Sequence, residues 1–134
     1  MKSNRNTQSG LTIIELSVTL AVMLLLAAIS VMSIKGISEW KLARQAGEEL
    51  RAVYIAQKNF LADNPTFLVA DLTADDLVPY LPGGRPQIPS IESLDHQLLM
   101  IHFNVIPPVV SDGSGGVYDP SGKDSDALWD AGIR

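Results

Sequence analysis

The sequence predicts an α+β fold: a long N-terminal membrane-spanning α-helix packed on a small head that holds a short helix and a β-hairpin. Three observations lead there. From Leu11 to Ile34 the chain runs 24 residues with one ionisable side chain, Glu15, where roughly 20 apolar residues in a helix cross a hydrocarbon core. Behind this run, apolar positions recur at helical spacing as far as Leu61, and no proline occurs before Pro65. Residues 96–106 then alternate with the period of a strand. The expected boundaries are a leader at 1–10, the transmembrane half of the helix at 11–34, its amphipathic half at 35–64 and the head at 65–134.

Taken in order, the leader MKSNRNTQSG carries Lys2 and Arg5 and no acid, which keeps this end in the cytoplasm and sends the rest outward. Glu15 lies about one helical turn beyond Leu11, near the headgroups and at the positive end of the helix dipole. After Ile34 the apolar positions are Ile37, Trp40, Ala43, Ala46 or Gly47, Leu50, Val53 or Tyr54, Phe60 and Leu61, interrupted at Gln57. Lys41, Arg44, Gln45, Glu48, Arg51 and Lys58 take the other sides. One helix of roughly 50 residues would be about 75 Å long. Gly36 and Gly47 are its expected weak points. Trp40 either marks the outer membrane boundary or touches the head.

Asp63-Asn64-Pro65 ends the helix, because the residue before proline is pushed out of the α region. Thr73 can cap a short helix with Asp76 three positions on, limited by Pro79. The stretch from Pro82 to Pro89 reads as an irregular connection. In the strand, Leu99, Ile101, Phe103 and Val105 would face the long helix, and Leu98, Met100, His102 and Asn104 would face away. Pro107-Pro108 stops it, Ser111 to Gly116 turns, and Val117-Tyr118 completes the hairpin.

Composition narrows the function classes. Outside the first 34 residues, roughly 100 remain, enough for one small domain and not for a large catalytic core. Residues 59–134 hold eleven acids against Arg85, Lys123 and Arg134. Such a surface repels phosphate backbones, so no nucleic acid is expected on the head. With no cysteine in the chain, neither a disulfide frame nor a Cys metal site is available. His96 and His102 are six residues apart in the expected strand, about 20 Å from one another, too far to chelate one metal. The glycine-rich turn 113–116 lacks the Lys-Ser/Thr ending of a phosphate loop.

Lys2 and Arg5 in a short leader, then Gly10 and Leu11-Thr12-Ile13-Ile14-Glu15-Leu16 leading an apolar helix, resemble the start of type IV pilins and type II secretion pseudopilins. The resemblance covers residues 1 to about 64. It implies a precursor cut between Gly10 and Leu11 by prepilin peptidase and N-methylated on Leu11, where the family more often has phenylalanine. It further implies a bacterial inner-membrane protein whose head lies outside. Its partners would be membrane lipid, other copies and related pilin-like subunits, and an inner-membrane assembly platform with its ATPase. Glu15 would pair with the freed amine of the next subunit during assembly. On this resemblance the chain is a structural filament subunit and not an enzyme. The missing cysteines lean toward a pseudopilin or a disulfide-free pilin.

The tail from Tyr118 to Asp130 loosely resembles the C-terminal loop of major pseudopilins, where carboxylates and carbonyls hold calcium. Asp119, Asp124 and Asp126 are the candidates for Ca2+ at 119–126, against the alternative of a solvated acidic turn. Two further functions are open. Ala28-Ile29-Ser30 offers small residues for ordinary signal peptidase, which would release a secreted binding module. An uncleaved single-span anchor carrying an enzyme is the other.

Overall fold

The computed structural model describes Gly10 and residues 12–132. The chain is α+β: a long apolar N-terminal helix, α1 (Ile13–Asp63), then a short helix α2 (Ala74–Leu77) between 3-10 turns at Val69–Asp71 and Val78–Tyr80, then a small antiparallel sheet. Its strands are β1 (Ser90–Glu92), β2 (Leu98–His102) and β3 (Val109–Val110), in that spatial order. Two compact units divide the chain, Met1–Ile37 and Ser38–Arg134.

In the first unit every described residue is exposed, including Leu24, Leu25 and Met32 at 65 % or more. The helix that begins here is long and apolar enough to cross a membrane, by length and composition. Its hydroxyls bond back into the helix: Ser17 Oγ donates to the Ile14 carbonyl, Thr19 Oγ1 to Leu16 and Ser30 Oγ to Leu26, each at 2.8 Å. Such back-bonding leaves no hydroxyl at these positions in need of water.

The second unit is built against one face of α1. Ala43, Ala46, Leu50, Val53, Ala56 and Phe60 join Leu72, Leu77, Leu81, Ile91, Ile101, Val110, Trp129 and Ala131 in one buried cluster. The helix stops at Asp63, as Asn64-Pro65 requires. Phe60 packs edge-to-face on Phe67 and Tyr80, with ring centroids 5.1 and 5.7 Å apart. Tyr80 Oη donates to Asp63 at 2.8 Å, and this bond holds its pKa above the ordinary phenol value. At the start of α2 the Thr73 amide and hydroxyl both donate to the Asp76 carboxylate, at 2.9 and 2.6 Å, so the expected cap forms.

The sheet departs from the expected hairpin. The 96–106 strand is shorter, Leu98–His102, and pairs on both sides: Ile91 lies opposite Leu99, and His102 opposite Val109. Proline does stop β2, but β3 begins directly after Pro108, because the prolines occupy the connecting loop, where no ladder N–H is needed. Val117 makes an isolated bridge to Ser111 rather than a full strand. The expected alternation holds within β2, with Ile101 buried and Leu98, Met100 and His102 exposed. It fails beyond, where Val105 is 40 % exposed. There two amides hold the chain: Gln57 Nε2 donates to the Phe103 and Val105 carbonyls at 2.6 and 3.0 Å, and Asn104 Nδ2 to those of Ala70 and Leu72 at 2.9 and 2.8 Å. Gln57, which interrupts the apolar pattern in sequence, is fully buried. His96 is not in the strand; it sits in the β1–β2 turn at φ 59° and bonds Glu92.

Two positions singled out on α1 have definite surroundings. Trp40 is 55 % exposed and lies outside the buried cluster. Gly47 lies unbroken within the helix and is where the C-terminal segment comes closest. A Cβ there would collide with the Ala127 carbonyl and lie 3.0 Å from that of Asp130. The Trp129 amide thereby reaches the Ala43 carbonyl, one turn before Gly47, at 3.1 Å. Gly47→Ala should therefore lower stability by about 1–2 kcal/mol, overpacking outweighing the gain in helix propensity. Thermal unfolding of the detergent-solubilised chain checks this, with Gly36→Ala as the control: its Cβ meets nothing within 4 Å, so it should show the propensity gain alone.

Candidate functional site

Three places carry the residues singled out in the sequence. The first is the start of α1. Thr12 precedes the first helical residue, Ile13, and Glu15 is the third residue of the helix. They form a reciprocal cap: the Thr12 amide donates to Glu15 Oε2 at 3.1 Å, and the Glu15 amide to Thr12 Oγ1 at 3.2 Å. The Thr12 hydroxyl also donates to Oε2 at 3.2 Å. This capping box satisfies helix donors that would otherwise lack partners, and places the negative charge at the positive end of the helix dipole. Oε1 takes no bond among the described residues. Gly10 is exposed, and nothing lies within 4 Å of where a side chain would be. Leu11 and the leader bases Lys2 and Arg5 lie outside the described residues.

The second place is the loop from Asp119 to Gly132. Three of its four carboxylates, those of Asp119, Asp126 and Asp130, accept from its own backbone. Asp119 accepts from the Ser121 amide and hydroxyl at 3.0 and 2.7 Å, and Asp126 from the Leu128 amide at 2.9 Å. Asp130 gathers the amides of Asp126 at 3.1 Å, Ala127 at 3.3 Å and Gly132. Ser125, Ala127 and Trp129 all adopt positive φ, a conformation costly for side-chain-bearing residues unless the surroundings hold it. Here Asp130 inside the loop and the Trp129–Ala43 bond outside it supply that hold. Trp129 is buried and stacks edge-to-face on Tyr118 at 5.1 Å. Among the described residues no three His, Cys, Asp or Glu side chains, Asp119, Asp124 and Asp126 included, form a group that could hold a metal ion.

The third place is the glycine-rich turn. Asp112 Oδ1 accepts from the Ser114 amide and hydroxyl and from the Gly116 amide, at 2.8, 2.9 and 2.9 Å. The loop thus closes around its own carboxylate, as a turn does.

No protein-family model, curated protein or solved structure matches this chain.

Sequence reasoning placed Glu15 near the helix dipole but did not use Thr12. The signal was present, since Thr-x-x-Glu ahead of an apolar run is the same signature that located α2. Gln57 and Gly47 act through residues far away in sequence and gave no local signal.

The bonds to Ser114 and Gly116 hold the Asp112 carboxyl below its usual value of 3.8. A depressed carboxyl contributes stability at higher pH, and that contribution is lost as pH falls through the folded pKa. Thermal stability should thus drop below about pH 4, and Asp112→Asn should flatten that acid limb while lowering stability at neutral pH. A melting series against pH reads both.

Proposed function

We propose that this chain is a structural subunit, a pseudopilin or pilin-like protein, of a type II secretion or type IV pilus-like filament. In this reading α1 holds it in the bacterial inner membrane, with the N-terminus cytoplasmic and the head outside. Prepilin peptidase cuts after Gly10 and methylates Leu11. An inner-membrane platform and its ATPase then draw the chain, with other copies and related subunits, into the filament.

The observation that carries the reading is the carboxylate of Glu15, capped by Thr12 at the mouth of a helix whose apolar side chains are exposed all round. An apolar surface of this extent calls for lipid or for other apolar helices. A carboxylate entering such surroundings is costly unless it meets an opposite charge. Cleavage supplies one, the new amine of Leu11. Oε2 stays with Thr12 while Oε1 takes the amine of the neighbouring subunit. Each copy offers one of each charge, so pairing continues from subunit to subunit and sets their axial stagger.

Glu15→Ala should be cut and held in the membrane like the wild type yet be missing from sheared filaments. Because that change also removes the cap, Thr12→Val serves as its partner: it loses the cap hydroxyl, keeps the carboxylate and should still assemble. Immunoblots of membrane and sheared fractions read both. Normal incorporation of Glu15→Ala would contradict the pairing.

A further inference from the structure

Within the second unit, a cavity of about 300 Å³ opens beside the C-terminal loop. Its floor is apolar, made by Pro107, Pro108, Val117 and Trp129, and Asp119, Asp124 and Asp130 line it as well. Asp119 and Asp130 are bound to their own loop. The exposed Asp124 carboxylate has no hydrogen bond or ion pair among the described residues. Apolar walls with an unpaired carboxylate suit a lysine, whose methylene stem lies on hydrophobic surface while its ammonium meets the acid.

The charge distribution of the chain names the source. Residues 59–134 carry eleven acids against three bases, whereas residues 35–58 carry five bases (Lys35, Lys41, Arg44, Arg51, Lys58) against three acids. Opposite signs on two regions of one chain favour head-to-tail contact between copies, the kind of interface that propagates rather than closing as a dimer. Among the cations of α1 in the second unit, Arg44 pairs with Glu48 at 3.5 Å, Arg51 bonds the Ala131 carbonyl at 3.4 Å, and Lys58 lies over the Tyr54 ring at 5.7 Å. Lys41 is exposed and has no partner among the described residues. Lys123 is a poor donor to a second copy, because it sits in the acidic loop and would bring two such loops face to face. We propose that the cavity is a subunit contact: Lys41 of one copy enters the Pro108–Trp129 pocket of the next and pairs with Asp124.

The proposal rests on the filament reading and is tested separately from it. The chain has no cysteine, so Lys41→Cys and Asp124→Cys can be co-expressed as two full-length variants, oxidised in the membrane and run without reductant. Covalent dimers are expected from the mixed cells and not from either variant alone. Lys41→Asp and Asp124→Lys should each lower sheared filament about tenfold, and the doubly reversed chain should recover it. Both positions are exposed, so unchanged melting temperatures should accompany these losses. A mixed-cell signal no higher than that of the single variants would overturn the contact, as would cross-linking of Asp124→Cys to Arg44→Cys or Lys58→Cys in place of Lys41→Cys. A wild type that forms no filament would overturn the filament reading, while the membrane cross-link would still decide the pocket.

Discussion

An apolar helix surface must be covered, and α1 meets that constraint in two ways along its length. From Ala43 to Phe60 the cover comes from the chain itself, because small residues at 43, 46, 47 and 56 let the head approach closely. From Ile13 to Ile37 the described residues supply no cover, and large side chains point outward on every side. The side-chain chemistry follows the same division. The hydroxyls of Ser17, Thr19 and Ser30 bond back into the helix, whereas further along the charged side chains of Lys41, Arg44 and Glu48 are exposed.

The head depends on α1 more than on its sheet. Strands of three, five and two residues are too short to be stable alone. What holds them is a set of long-range polar ties to the helix and around it. Gln57 fixes the segment leaving β2, Asn104 ties that segment to the 70–72 turn, and Trp129 hangs the C-terminal loop from the Ala43 carbonyl. Glu49 on the helix and Arg85 in the irregular connection add a partly buried ion pair. Each tie satisfies backbone or charged groups that would be costly to leave unpaired beside the core. The head thus reads as a wrapping of α1, whose outer surface is left for other contacts.

Much of this was legible in the sequence where the signal was local. The extent of α1 followed from its apolar period and from Asn64-Pro65, α2 from Thr73 and Asp76, and the inward set of β2 from simple alternation. The rest required knowledge of what meets what. β1 has three residues and β3 two, too few to establish a period. Gln57 broke the apolar pattern because its amide serves carbonyls 46 and 48 residues away. Gly47 looked like a weakness because the Ala127 and Asp130 carbonyls that require its missing side chain lie about 80 residues further along. At the candidate site, Glu15 and Gly10 stood out by their place in the motif, and the Thr12 cap was readable by the same rule that found α2. The loop aspartates left calcium and a solvated acidic turn open in the sequence, and the bonds that Asp119, Asp126 and Asp130 accept from the loop's own amides depend on its positive-φ backbone, which the sequence did not show.

The functional proposal turns on what happens at one peptide bond, and the mature N-terminus reports it directly. Intact mass and N-terminal sequencing of the membrane-extracted protein are the measurement to make. A chain beginning at N-methylated Leu11 is the expected result. A start at Val31, after cleavage behind Ser30, or an uncut chain beginning at Met1 would contradict it.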